Sequence, residues 1–330
     1  MKDTWGTYLA LLRAGLWGKD ALLPEIPDAA GWEELLVLAG EQAVQGLLLG
    51  GIARLEEALL PPAPLRMKLM TQVDEIARTN TRMAGVEARL LDRFAAANLE
   101  VLVMKGSRLA RLYPHPEWRS CGDIDLYVKD FSKALSLFPN ARLNPDGSAL
   151  AAVEGVTVDL HGRYFDIHVQ EDRLPVVPSP VAELLMTGSH ILKHAIGPGV
   201  GLKQLCDMAL LLDRYWGLYE ARELEEAVLR AGLSRWWALL CSVLTEKLGL
   251  DPVKCGPSFR PVNPEPLMRI VRQGGNFGQK RGRRELALQR GGWVRKTSTA
   301  LSFVARLPFS LRYAPKETSS TIAELVKGNL

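Results

Sequence analysis

The sequence predicts an α+β fold in which a small α/β unit lies between helical segments. Apolar residues recur at helical spacing before residue 97, short strand-like runs follow, and helical spacing returns from Pro180 onward. We therefore divide the chain into an N-terminal helical region over 1–97, an α/β core over 98–175, a helical domain over 176–260 and a basic segment over 261–330.

The helices are predicted from the spacing of their apolar residues. Leu69, Val73, Ile76 and Met83 begin a stripe with steps of three, four and seven, which predicts one long helix from about residue 65 to 97. Four further helices are predicted over 181–195, 201–219, 223–233 and 236–250.

Composition and charge exclude several classes of protein. Hydrophobic residues make up 47% of the chain and charged residues 24%, which is typical of a globular protein and not of a disordered one. The four cysteines are scattered without a CxxC pair, which favours a reduced, cytoplasmic protein. No apolar run reaches the roughly 18 residues of a membrane span and no signal-peptide pattern is present, so we predict no transmembrane helix.

Two aspartates in the predicted strand DIDLYV share one face. Side chains alternate along a strand, so Asp123 and Asp125 point to one side while Ile124 and Leu126 point to the core. This spacing lets both carboxylates converge on one or two Mg²⁺ ions, which prefer oxygen ligands. The alternative is a solvated strand end with two exposed aspartates.

A third carboxylate is available in the predicted strand VTVDLH. Asp159 lies there on the same face as Thr157 and His161. If this strand neighbours DIDLYV, Asp159 completes a three-carboxylate site. Asp166, in YFDIHV, is the rival third ligand.

The run Lys105-Gly106-Ser107 follows a predicted strand and precedes a predicted helix. Gly106 would let the backbone approach a phosphate closely, and Ser107 is a favourable N-cap residue for the helix. The N–H groups at the start of that helix would favour an anion. The alternative is a plain turn with a helix cap.

Together these residues resemble the nucleotidyltransferase superfamily typified by DNA polymerase beta and kanamycin nucleotidyltransferase. Its pattern is a hydrophobic residue, Gly and then Gly or Ser, followed by Asp-x-Asp and a later acidic strand residue. The matching residues are Met104 and Gly106-Ser107 with Lys105 intervening, then Asp123-Ile124-Asp125 and Asp159. The chain is more similar to a bacterial family of uncharacterised nucleotidyltransferases over roughly residues 100–215. The matching stretches are MKGSRLARLYPHPEWRSCGDIDLYV, VDLH, HILKHA and LKQLCDMALLLD.

This resemblance implies a polymerase-beta-like unit that moves a nucleoside monophosphate from an NTP to a hydroxyl-type acceptor. It implies two Mg²⁺ or Mn²⁺ ions held by Asp123, Asp125 and Asp159, with a small molecule, carbohydrate or protein as acceptor. The gap of fifteen residues between Ser107 and Asp123 is slightly longer than the superfamily's usual gap, because of the loop PHPEWRSCG.

Four further residues are interpreted as supporting the reaction. Lys105, Arg119 and Lys193 are predicted to contact the nucleotide, since cationic side chains bind phosphate oxygens. The alternatives are a solvated turn lysine for Lys105, and a surface residue or a neutraliser of the aspartates for Arg119. Asp207 is predicted to activate the acceptor, although a helix ion pair with Lys203 is the alternative.

His190 and His194 share a helix face, but a zinc-protease signature would need Glu where Ile191 stands. Core or interdomain histidines are the alternative.

The last sixty residues are strongly basic. From 271 to 330 there are twelve Lys or Arg against three Glu, mixed with Trp293, Phe303, Phe309 and Tyr313. This pattern predicts peripheral contact with the inner membrane face, with nucleic acid less favoured and a solvated tail as the alternative. Two other functions therefore stay open: an inactive binding module at a membrane or partner surface, and an RNA-modifying nucleotidyltransferase.

Overall fold

A computed structural model describes residues 4–144, 146–169, 173–197, 199–276 and 306–326. The chain divides into two compact units, and each is described separately. Unit 1 contains described residues up to 36 and from 44 to 164, and unit 2 contains 37–43 and the described residues from 165 to 326. Residues 277–305 and 327–330 of the basic segment, which include Trp293 and Phe303, lie outside the described residues.

Unit 1 contains the N-terminal helices and the sheet. Its elements in chain order are α1 (Thr4–Trp17), α2 (Ala29–Gln42, whose last residues belong to unit 2), α3 (Gln45–Ile52), α4 (Ala63–Ala96), β1 (Val101–Met104), α5 (Gly106–Ala110), β2 (Ile124–Val128), α6 (Phe131–Ser136), β3 (Arg142–Leu143), β4 (Ala149–Val153) and β5 (Val156–His161).

The sheet has the strand order β1-β2-β5-β4-β3. Among the described strands, β2 and β5 form a parallel pair, and the other three neighbouring pairs are antiparallel. A tight turn joins β4 and β5, with positive φ angles of 51° at Glu154 and 72° at Gly155. The α+β fold class predicted from the sequence is therefore confirmed.

One face of the sheet is covered by α4 and α6. The core that they form with the strands consists of Met83, Val86, Leu90, Phe94, Leu99, Ile124, Leu126, Val128, Ala134, Phe138, Ala149, Ala151, Val156, Val158 and Leu160. The long helix predicted from about 65 to 97 is α4, which has 34 residues. It ends where Asn98 adopts a positive φ of 52°, a conformation common just beyond helix ends.

Helices α1 and α3 pack at glycines. A Cβ added to Gly15 would lie 2.0 Å from the carbonyl oxygen of Leu47, and one added to Gly51 would lie 2.1 Å from the carbonyl oxygen of Leu11. The two backbones are thus in direct contact, which any larger side chain at these positions would prevent.

Unit 2 is helical among its described residues. Its helices are α7 (Pro180–Ile196), α8 (Leu202–Tyr215), α9 (Ala221–Arg230), α10 (Ser234–Leu248), α11 (Glu265–Gly274), α12 (306–313) and α13 (Pro315–Val326). The four helices predicted after Pro180 correspond to α7 through α10. Ser179 caps α7 by accepting from the Ala182 N–H at 3.1 Å. No helix in the described parts of the chain combines the length and apolar character that crossing a bilayer requires.

Candidate functional site

The candidate site lies on the face of the sheet opposite the core of unit 1. Asp125 of β2 and Asp159 of β5 are register partners on the two parallel strands. Their chain neighbours Leu126 and Leu160 are fully buried in the core. Because side chains alternate along a strand, both carboxylates project from the other face. The prediction for Asp159 required β5 to lie next to β2, and the two strands are neighbours.

His161 extends this pair to a group of three potential ligands. Its Nε2 lies 3.0 Å from Oδ1 of Asp125 and 3.4 Å from Oδ2 of Asp159. One donor atom from each of the three residues lies within 4.8 Å of the other two. From the sequence, His161 is placed on this face but is assigned no role. Its spacing of two residues from Asp159 indicates a side chain beside the carboxylate and could have identified it as a ligand.

The Asp159 carboxylate is incompletely satisfied. Its Oδ1 is buried and has no hydrogen-bond partner among the described residues. Burial is the largest influence on this group and raises the pKa of Asp159 above its usual 3.8; His161 opposes that rise, and Asp125 adds to it. A buried carboxylate oxygen without a donor, beside a second carboxylate, is suited to bind a cation.

Lys105 supplies a positive charge to the same group. Its Nζ lies 3.1 Å from Oδ1 of Asp125, and the two side chains are only 11% and 8% exposed. The Lys105 backbone has φ 49° and ψ −128°, a conformation that residues other than glycine rarely adopt. The structure therefore places this ammonium on a candidate metal ligand, and its predicted contact with the nucleotide stays a prediction.

The turn at Gly106 is held by contacts that the sequence did not predict. Helix α5 begins at Gly106 with Lys105 in the capping position, so the prediction that Ser107 caps it is wrong. The Ser107 hydroxyl instead donates to the carboxylate of Glu87 on α4, which is 7% exposed. Glu87 lies within the apolar stripe of α4, and a charged residue at such a position indicates a buried polar contact. A Cβ on Gly106 would lie 3.3 Å from the carbonyl oxygen of Asp123, so the turn and the acidic strand are close.

Arg119 fixes the same turn from the loop before β2. It is 6% exposed, and its Nη1 donates to the carbonyl oxygen of Gly106 at 3.0 Å. The guanidinium also lies over the ring of Tyr113, 5.8 Å from the centroid. The amide of Asn80 donates to the carbonyl oxygens of Glu117 and Arg119, both at 2.8 Å, and so attaches the loop to α4. The predicted contact of Arg119 with a triphosphate stays a prediction.

Asp123 is half-buried and lies immediately before the first residue of β2. The group of three donors within 4.8 Å does not include it. Its predicted role as a metal ligand stays a prediction.

The remaining predicted residues belong to unit 2. Asp166, the rival third ligand, has Oδ2 2.7 Å from Nδ1 of His190 and Oδ1 3.1 Å from Nζ of Lys193. Its carboxylate therefore pairs with α7, whereas Asp159 is the strand partner of Asp125. The Nε2 atoms of His190 and His194 lie 2.9 Å apart. The predicted contact of Lys193 with the nucleotide stays a prediction.

Asp207, the predicted acceptor base, lies on α8 and is 3% exposed. Lys203, one turn earlier on the same helix, is 8% exposed. The catalytic role of Asp207 stays a prediction.

A family model described as an uncharacterised nucleotidyltransferase matches residues 28–249, about two thirds of the chain. The match includes the strands with Asp125 and Asp159 and the Lys105 turn. It supports nucleotidyl transfer as the general activity. No curated protein and no solved structure matches the chain significantly. Because this match extends over more than half of the chain, the chain belongs to the family of uncharacterised nucleotidyltransferases.

Proposed function

We propose that this protein transfers a nucleoside monophosphate from an NTP to a hydroxyl-type acceptor with the help of Mg²⁺ or Mn²⁺. The observation that carries the proposal is the convergence of Asp125, Asp159 and His161 within 4.8 Å on one face of the sheet. Membership of a nucleotidyltransferase family supplies the reaction class. The two-ion arrangement and the likeness to polymerase-beta-like enzymes are parts of the same proposal.

The residues present fit a divalent cation. Two carboxylates meet, Lys105 pairs with Asp125, and the Asp159 oxygen without a donor would gain a partner. Asp125 and Asp159 would hold the metal, and we propose Asp123 as a further carboxylate beside them. A bound divalent ion supplies charge stabilisation for the triphosphate and the leaving pyrophosphate, and it lowers the pKa of an attacking hydroxyl.

The chain's own residues position the nucleotide. The Lys105 ammonium, held beside Asp125, lies where it can bind a phosphate oxygen as a point charge. Gly106 lets the turn approach the Asp123 backbone, while Arg119 and Glu87 hold the turn rigid through its carbonyl and the Ser107 hydroxyl. In this proposal Lys193 contacts the nucleotide and Asp207 accepts the proton of the acceptor hydroxyl.

We propose a small molecule, carbohydrate or protein as acceptor, in preference to RNA. The support is the separation in sequence between the basic residues after 271 and the acidic strands.

Binding of a non-hydrolysable NTP with Mn²⁺ or Mg²⁺, measured by calorimetry, tests the proposal. We expect Asp125→Asn with Asp159→Asn to abolish metal-dependent binding. Asp130→Asn is the matched control, because Asp130 is an exposed carboxylate that caps α6 and Asn is an equally good cap. Unchanged metal-dependent binding in the double variant would refute the proposal. Transfer of labelled nucleotide into fractionated glycan, protein and RNA pools would identify the acceptor class.

A further inference from the structure

We infer that His161 is a direct ligand of the metal ion and that its imidazole makes the site prefer Mn²⁺ to Mg²⁺. This inference rests on the proposed metal-dependent function and goes beyond it, since it assigns a nitrogen ligand and a metal preference.

The distances around His161 fit a shared coordination shell. Ligands bound to one ion at about 2.1 Å lie about 3.0 Å apart at an octahedral edge and about 3.4 Å apart at a tetrahedral edge. The observed separations from Nε2 of His161 are 3.0 Å to Asp125 and 3.4 Å to Asp159. A single octahedral ion would replace the present hydrogen bond between Nε2 of His161 and Oδ1 of Asp125 at an unchanged separation, and it would draw Asp159 and His161 closer together.

The backbone fixes the imidazole in this position. His161 is the last residue of β5, its register partner on β2 is Tyr127, and its side chain is 12% exposed. Its neighbour Leu160 is fully buried in the core, which orients the strand. A ligand on a packed strand stays close to its binding position without the metal.

A nitrogen donor changes which ion the site prefers. Mg²⁺ binds oxygen ligands and keeps much of its water, whereas imidazole suits transition metals, and affinity rises along the series that begins with Mn²⁺. Asp125 and Asp159 alone would distinguish Mg²⁺ and Mn²⁺ weakly. We therefore expect Mn²⁺ to bind at least about tenfold more tightly than Mg²⁺, and we expect His161 to account for most of this ratio.

The test is electron spin echo spectroscopy of Mn²⁺ bound to the full-length protein without nucleotide. A directly bound imidazole gives ¹⁴N modulation of the Mn²⁺ echo, so we expect this modulation in the wild type and its loss in His161→Asn. The matched control is His115→Asn, because His115 is 51% exposed, stacks on Trp118 and is not one of the three grouped donors. The control should retain the modulation. Calorimetry should show the Mn²⁺ to Mg²⁺ affinity ratio falling about tenfold in His161→Asn alone.

Bound Mn²⁺ without ¹⁴N modulation in the wild type would overturn the inference, as would an unchanged affinity ratio in His161→Asn. If His161→Asn does not fold, His161→Gln and the wild-type echo still decide the question. Nucleotide transfer by a protein that lacks the modulation would refute only the nitrogen ligand. Absence of both Mn²⁺ binding and transfer would refute the proposed function as well.

Discussion

Replacing Lys105 with Met should affect metal binding and nucleotide binding in opposite directions. Its Nζ lies 3.1 Å from Oδ1 of Asp125, and both side chains are almost buried. At an effective dielectric constant of about 20, the attraction across that distance is about 5 kcal/mol before desolvation is subtracted. We take about 1.5 to 2 kcal/mol as the net free energy needed to separate Lys105 from Asp125. A metal that must displace the ammonium should therefore bind Lys105→Met about 10- to 30-fold more tightly than the wild type.

The assay is calorimetric titration of Mn²⁺ without nucleotide, followed by titration of a non-hydrolysable NTP at saturating Mn²⁺. We expect Lys105→Met to tighten the first and weaken the second, because the ammonium competes with the metal and attracts the polyphosphate. Lys129→Met is the matched control, since Lys129 pairs with Glu100 at 3.6 Å on the exposed surface. Weaker Mn²⁺ binding in Lys105→Met, or equal effects of the two substitutions, would refute the reasoning.

Three further predictions follow from individual contacts. Because burial raises the pKa of Asp159, its contribution to metal-free stability is present below its usual pKa of 3.8 and is lost as pH rises through the raised value. Asp159→Asn should remove this pH-dependent loss of stability, which is measured as the urea midpoint in EDTA across that pH range. An unchanged pH dependence in Asp159→Asn would contradict the prediction. Gly51→Ala should lower the free energy of unfolding by about 2 kcal/mol or more, because its Cβ would lie 2.1 Å from the Leu11 carbonyl oxygen. Gly50→Ala, whose Cβ has no contact closer than 3.5 Å, should be neutral or stabilising in the same urea titration, and equal losses would contradict the close contact. Ser107→Ala should weaken NTP binding several-fold with little effect on Mn²⁺ binding, since it removes a hydrogen bond that holds the turn. Calorimetry that showed weaker Mn²⁺ binding and unchanged NTP binding would contradict this prediction.

The elements with the strongest periodicity were predictable from the sequence alone. The long apolar stripe of α4 and the alternation in DIDLYV and VTVDLH each specify an element and the face that it buries. The alternation also placed Asp125 and Asp159 on polar faces, although the pairing of their strands had to be assumed. The parallel register that makes them neighbours depends on contacts between distant segments, which periodicity does not encode.

The cap of α5 was not predictable for a different reason. Ser107 is a favourable capping residue by type, but its hydroxyl binds Glu87, which precedes it by 20 residues, and the helix begins at Gly106 with Lys105 in the capping position. A tertiary contact thus overrides a local preference. The positive φ of Lys105 is equally hidden, because propensity would place glycine there.

The arrangement of β2 and β5 couples stability to the proposed chemistry. Each strand alternates between residues that bury against α4 and residues that carry candidate ligands. A slip of β2 by one residue against β5 would move Asp125 to the apolar face and Leu126 to the site, and so would separate the two carboxylates. Burial of Leu126 and Leu160 therefore keeps two carboxylates together although their charges repel, and Lys105 offsets part of that repulsion before a metal binds. It follows that a cavity made at Leu126 should weaken metal binding as well as the fold, even though Leu126 lies on the opposite face of the sheet from the candidate ligands.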